Sequence, residues 1–148
     1  MTTFQRFPTQ APATSVTELK ARIAALLPAI GEGAAQRERE RLLPHEAIAQ
    51  LAAAGLYTAR IPGQYAGPGG SVSDVIELLL QIASVDSNVA QALRPGFAFV
   101  EGLLASQAEG AEQERERWFA RYLQGAVIGN AGWELGGANG AIAARLVR

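Results

Sequence analysis

The chain has 148 residues, 49% of them apolar, a formal net charge of −1, no cysteine and one histidine. This length suits one domain, and the near-zero charge gives no electrostatic reason to expect nucleic acid or an anionic membrane as a partner. The lack of cysteine excludes a disulfide framework and thiolate chemistry. We expect a cytoplasmic protein, because no apolar run approaches the ~20 residues that span a bilayer and residues 1–12 lack the apolar segment of a signal peptide.

Residues 1–14 are predicted to be a flexible N-terminal arm. Ser15 and Glu18 have the spacing of a capping box, and a first helix follows. Its apolar face consists of Val16, Leu19, Ile23, Leu26, Leu27 and Ile30. Pro28 lies inside this pattern, so we expect a kink or a break there. The alternating arginines and glutamates of residues 36–41 predict a solvated helix face rather than a binding site.

Pro44 suits the first position of a second helix, which Gly55 would end in the left-handed conformation. His45 lies in the first turn, and we interpret it as a surface or capping residue because a metal site needs more ligands than the sequence offers. Residues 56–62 are expected to be extended, since a proline at position 62 disfavours the helical region just before it. The glycine-rich residues 63–70 predict a connector, with a ligand-binding loop as the less favoured alternative.

Residues 71–104 are the most apolar part of the chain and predict two core helices. Ser71 with Asp74 indicates the first start, and Asp86 or Ser87 can cap a second. Between Glu77 and Glu101 the only charged residues are Asp86 and Arg94. A helix without a polar face needs cover on several sides, so we expect the first helix to be wrapped by the others. Pro95 is expected to bend the second helix.

Another amphipathic helix is predicted over residues 112–125. The segment after it, residues 126–134, is short, apolar and rich in glycine, and residues 141–148 have the alternation of a strand. A lone strand has no partner for its hydrogen bonds. We therefore expect three parts: the arm (1–14), a mainly α domain of about five helices (15–125), and the start of a β domain (126–148) that the chain does not complete.

Four stretches in this order resemble the N-terminal part of the acyl-CoA dehydrogenase superfamily. They are LAAAGL (51–56), IPGQYAG (61–67), IASVDSNVA (82–90) and IGNAGWE (128–134). The last is most similar to the flavin monooxygenase branch, which includes sulfur-acquisition oxidoreductases and dibenzothiophene desulfurisation enzymes. That branch commonly has a histidine where this chain has Gly96.

The resemblance implies a flavin-dependent oxidoreductase that acts with FMN or FAD on a small organosulfur or related substrate, and it implies homo-oligomers. By resemblance, Asn130, Gly132, Trp133 and Glu134 contact the flavin, and Phe97 and Asn130 face the substrate. The family's middle β domain and C-terminal helical domain do not follow, so we expect a truncated or partial chain that binds flavin weakly or not at all and is inactive alone. The alternative is a non-catalytic helical interaction module derived from the same fold.

Overall fold

The computed structural model describes residues 7–129, which contain five α-helices and two short 3₁₀ turns. The helices are α1 (Val16–Glu40), α2 (His45–Ala53), α3 (Val72–Val85), α4 (Ser87–Ala105) and α5 (Ala111–Leu123), and the 3₁₀ turns are Leu56–Thr58 and Gly63–Tyr65. The pair α3–α4 forms the centre, with α1 packed on α3, and α5 packed on α4 and on both 3₁₀ turns. The expected mainly α fold is confirmed, and the described residues contain no β-strand.

The first helix starts at Ser15, whose hydroxyl accepts a hydrogen bond from the Glu18 amide at 3.2 Å. In a capping box the Glu18 carboxylate would accept a hydrogen bond from the Ser15 amide. Here it accepts from the Thr14 amide instead, at 2.9 Å. The helix runs through Pro28 without a break. Of the two outcomes predicted at Pro28, a kink or a break, the break is therefore wrong. Proline removes one backbone bond, but the apolar face remains buried on both sides of it, at Ile23 and Ile30.

The described part of the N-terminal arm, residues 7–14, lies against the bundle. The Gln10 amide donates to the Ala53 carbonyl at 2.9 Å, and the Thr9 hydroxyl donates to the Gln124 carbonyl at 3.1 Å. Ala13 is buried. These contacts place this part of the arm beside the ends of α2 and α5, and its flexibility stays a prediction.

Residues 56–62 are not extended as predicted, but form the tightly buried turn after α2. Gly55 has φ of 93°, as expected for the left-handed end of that helix. The Thr58 amide then donates to the Gly55 carbonyl at 2.9 Å, and the Ile61 amide donates to the Thr58 carbonyl at 2.8 Å. Proline restricts only the residue directly before it. The residues from 56 to 60 therefore remain free to coil, which gives them short-range hydrogen bonds and buries most of them.

The start of α3 has the predicted capping box, with both bonds formed between Ser71 and Asp74. The start of α4 is capped by Asp86, whose side chain accepts from the amides of Asn88 and Val89. Helix α4 continues through Pro95 to Ala105. Both predicted starts are confirmed.

The expectation that α3 is covered on several sides is wrong. Val75, Leu78 and Ile82 form its buried face. On the opposite side, Val72, Ile76 and Leu80 are 53%, 50% and 66% exposed. Only α1 and α4 pack on α3 among the described elements, and two neighbours cannot cover the whole circumference of a helix. An apolar stripe of α3 therefore lies open.

The charged run at the end of α1 is mostly solvated as predicted, with one exception. The Arg37 guanidinium donates to the Asp86 carboxylate at 2.7 Å, and Asp86 is buried. This ion pair joins the last turns of α1 to the corner between α3 and α4. None of the helices in the described part of the chain is long and apolar enough to cross a membrane.

Candidate functional site

The predicted flavin contacts Asn130, Gly132, Trp133 and Glu134 lie outside the described residues, but the structure shows where the chain approaches them. Helix α5 ends at Leu123, and Gly125 has φ of 80°. The Ala126 amide still donates to the Arg121 carbonyl at 3.0 Å, and Ile128 packs against the hydrophobic core. The segment after α5 therefore lies beside the arm and the end of α2.

Phe97, the predicted substrate contact, lies within an aromatic cluster in the core. It is 5% exposed, and its ring centroid is 5.1 Å from that of Tyr57. Tyr122 lies on the other side of Tyr57, at 5.4 Å. The two phenol hydroxyls donate to carbonyls of α4, those of Leu93 and Gly96. In this arrangement only a small edge of Phe97 is left for a ligand to touch.

Gly96 packs directly on the Tyr57 ring. A Cβ atom placed at position 96 would lie 2.6 Å from Tyr57 Cζ, well inside van der Waals contact. Tyr57 is 2% exposed, so its ring is packed on nearly all sides. The position where the monooxygenase branch commonly has a histidine therefore faces the core here, and no side chain fits without displacing Tyr57.

The ionisable groups with shifted pKa values do not form an acid–base pair for chemistry at neutral pH, which needs a pKa near 7. Burial raises the pKa of Tyr122 to about 12, and burial also raises the pKa of Tyr57. The hydrogen bond from Lys20 lowers the pKa of Asp74. Every one of these shifts moves the pKa further from neutrality.

The glycine-rich residues 63–70 form a packed connector. A Cβ atom at Gly67 would lie 2.6 Å from the Ile61 carbonyl carbon, so the close approach of the two segments requires glycine. Arg60 fixes the end of the loop, because its guanidinium donates to the Gly70 carbonyl at 2.7 Å and to the Glu101 carboxylate at 2.6 Å. No group of three or more His, Cys, Asp or Glu residues that could hold a metal exists among residues 7–129.

A cleft of about 530 Å³ lies between α4 and α5, and Trp118 forms one wall. The indole N–H donates to the Glu114 carboxylate at 2.9 Å. The ring packs edge-on against Phe99 at 5.0 Å, and the Arg121 guanidinium lies 4.7 Å from the ring centroid. The indole is thus already engaged by protein groups.

A second cavity of about 640 Å³ lies beside the turn between α1 and α2. Arg37 and Asp86, which line it, are paired with each other, and Glu38 accepts a hydrogen bond from the Asn88 amide group at 2.7 Å. These four polar side chains bind one another, and the other two charged residues of the lining, Arg39 and Arg41, are exposed to solvent.

The third cavity, here called the α3–α4 groove, has a different character. It has a volume of about 290 Å³ and lies on the open side of the central helix pair. Its apolar residues are Ile76, Leu79, Leu80, Ala83 and Ala90, and its polar residues are Ser87, Gln91 and Arg94. In the sequence, Arg94 stands out only as one of two charged residues between Glu77 and Glu101. This was the one feature of the sequence that pointed to the groove.

Comparison with known proteins agrees with this architecture. The family model of the acyl-CoA dehydrogenase N-terminal domain matches residues 21–126, which include most of α1 and all of α2 to α5. No curated protein and no solved structure matches the chain. The chain belongs to the family of acyl-CoA dehydrogenase N-terminal domains.

Proposed function

We propose that this chain acts as the N-terminal helical domain of a flavin-dependent oxidoreductase. The family match over residues 21–126 carries this proposal. It is supported by the segment IGNAGWE, which begins at Ile128, directly after the last described helix. In this role Asn130, Gly132, Trp133 and Glu134 contact the flavin, and Phe97 and Asn130 contribute to the substrate side.

Acyl-CoA dehydrogenases generally use FAD, and a bound flavin supplies the electron transfer itself, while the protein provides binding and orientation. A site for such a cofactor covers most of its surface. Residues 7–129 alone do not fit this requirement, since each cavity described above is an open cleft on the bundle surface. No catalytic step follows from them, and the residues that would meet the flavin are in the segment after Gly129.

Within the family, we propose the flavin monooxygenase branch, with a small organosulfur or related substrate. The support is the sequence of residues 128–134, in which Asn130 and Glu134 match that branch. The packing of Gly96 on Tyr57 shapes the proposal, because a histidine at this position would require Tyr57 to shift. Any proton transfer to oxygen must then come from another residue.

The reading frame beyond codon 148 provides the first test. A frame that continues into a β-rich domain supports an oxidoreductase, and its product is assayed with FAD and FMN for acyl-CoA oxidation and for oxygen consumption with dibenzothiophene or dimethyl sulfone. Oxygen consumption that depends on the sulfur compound supports the monooxygenase branch. Oxidation of acyl-CoA alone assigns the protein to dehydrogenase chemistry.

Flavin titration of the 148-residue chain is the second test. We expect no saturation of flavin fluorescence in the low micromolar range. The weak quenching that remains should fall with Trp133→Ala, because a stacked indole quenches flavin emission, and should persist in the matched control Trp118→Phe, which keeps an aromatic ring against Phe99. Equal quenching in the wild-type chain and in both variants would contradict the proposed flavin contact.

The alternative function is a non-catalytic helical interaction module. The exposed apolar stripe of α3 favours it, since large apolar side chains open to solvent often mark interaction surfaces. A stop directly after codon 148, together with no effect of Trp133→Ala on flavin emission, would favour this function over the oxidoreductase.

A further inference from the structure

Within residues 7–129, Arg94 differs from the other cations near the central helices because it has no carboxylate partner. Lys20 is paired with Asp74 and Glu77, Arg37 with Asp86, and Arg60 with Glu101. Among the described residues Arg94 makes one hydrogen bond, from Nη1 to the Gln91 side-chain oxygen at 2.8 Å. Its remaining N–H groups are therefore available to an anion.

In the described part of the chain, the α3–α4 groove around Arg94 contains no acid. It is lined by Ile76, Leu79, Leu80 and Ala83 from α3 and by Ala90 from α4. The acids of α3 and α4 and of the corner between them are engaged by Lys20, Arg37 and Arg60. A charge-assisted hydrogen bond is stronger where water is displaced by apolar groups. The groove thus combines an apolar surface, from which a ligand would displace water, with a single cation.

We propose that the α3–α4 groove binds a small molecule with an apolar body and one anionic group, a carboxylate or sulfonate, which Arg94 receives. The apolar body lies on Ile76, Leu80 and Ala83, and the planar guanidinium, held on one edge by Gln91, presents its other N–H groups to two oxygens of the anion. The volume of about 290 Å³ fits a small ligand rather than a large cofactor.

The groove is lined by none of the substrate contacts proposed above, so this inference does not depend on the oxidoreductase function, and the ligand class that it predicts is apolar anions. Arg94 then acts as a specificity-determining residue, because a neutral analogue of the same shape leaves its guanidinium without a partner. The binding itself needs no flavin, so it can be measured separately from catalysis.

The test measures binding of octanesulfonate and octanol to the 148-residue chain by calorimetry, below the aggregation limit of either compound. We expect octanesulfonate to bind more tightly than octanol. Arg94→Gln should weaken octanesulfonate about tenfold, a loss of about 1.4 kcal/mol, and leave octanol unchanged, while Arg94→Lys should recover part of the loss. The matched control is Arg39→Gln, because Arg39 is exposed and has no ion pair within residues 7–129.

Leu80→Asp tests the groove itself, since Leu80 is 66% exposed and its replacement does not disturb the core. This variant should abolish binding of both compounds while the circular dichroism spectrum stays unchanged. Equal affinity for octanesulfonate and octanol, or an equal loss in Arg39→Gln, would overturn the proposal. A wild-type dimer that Leu80→Asp dissociates would also overturn it, because a second copy of the chain would then occupy the groove. If the anion binds, while the reading frame stops after codon 148 and Trp133→Ala has no effect on flavin emission, the groove stands and the oxidoreductase function fails.

Discussion

The contact between Gly96 and Tyr57 joins α4 to the turn after α2 with no space for a side chain. The backbone of α4 approaches the Tyr57 ring so closely that a methyl group at position 96 overlaps it. The same tyrosine donates to the Leu93 carbonyl at 3.3 Å and packs on Phe97. One glycine therefore permits the aromatic cluster at the centre of the fold.

We predict that Gly96→Ala destabilises the protein by about 1–3 kcal/mol, the usual cost of forcing extra atoms into a packed core. Urea unfolding followed by circular dichroism measures this change. The matched control is Gly102→Ala in the same helix, where an added Cβ meets nothing within 4 Å. That variant should gain up to about 1 kcal/mol from helix propensity. A stabilised Gly96→Ala variant would show that Tyr57 can move aside.

The carboxylate of Asp74 makes the stability of the protein depend on acid pH. Lys20 donates a hydrogen bond to Asp74 at 2.8 Å, and the Ser71 amide and hydroxyl donate as well. These bonds hold the pKa of Asp74 below its ordinary value. A folded-state pKa below the unfolded value gives stability that is fully present above the unfolded pKa and is lost as the pH falls through the folded pKa.

We therefore predict that the unfolding midpoint in urea falls between pH 5 and pH 2, and that Asp74→Asn makes this fall smaller. The asparagine keeps an acceptor for the Ser71 amide but does not titrate. Glu116→Gln is the control, because Glu116 is exposed and makes no hydrogen bond or ion pair within the described part of the chain. An equal pH dependence in the wild-type protein and Asp74→Asn would show that another carboxylate is responsible.

At the scale of the helix, α3 has two apolar faces with different roles. Leu78 is fully buried between α1 and α4, whereas Leu80 lies two residues later on the open side. Leu79, which the apolar pattern marks as strongly as its neighbours, is only partly buried. Hydrophobicity alone cannot separate these three leucines.

We predict that Leu78→Ala costs about 2–5 kcal/mol, from lost burial and from the cavity that it leaves. Leu80→Ala should change the free energy of unfolding by less than about 0.5 kcal/mol, as is usual for surface positions. Leu79→Ala should fall between them. The three values come from urea unfolding of each variant, and a larger loss for Leu80 than for Leu78 would mean that the buried face of α3 is assigned to the wrong side.

At the scale of the whole molecule, residues 7–129 contain one extended apolar core. Its buried residues run from Ala13 to Tyr122, and Ile128 also packs on them. We predict that deletion of residues 136–148 leaves the helical circular dichroism signal and the thermal midpoint nearly unchanged. A deletion variant that unfolds would show that these residues are part of the fold.

Much of the helical organisation was predictable because its signals are local. The capping box of Ser71, the cap at Asp86 and the left-handed Gly55 each depend on residues within one turn of the chain. The family resemblance has the same origin, since it rests on short stretches in a fixed order. The candidate flavin contacts come from that resemblance alone and stay predictions.

Only the tertiary structure decided which apolar residues are covered and which charges are paired. The amino-acid sequence determined that α3 is apolar nearly all round, but the packing of α1 and α4 left Ile76 and Leu80 exposed. It also placed Asp86 and Arg94 as two charges in an apolar stretch. Among the described residues, the fold brought Arg37 to the first and no carboxylate to the second. The physical reason is that a cap or a turn is formed by neighbours along the chain, whereas burial and ion pairing depend on the other helices, which reach a position only after the chain has folded.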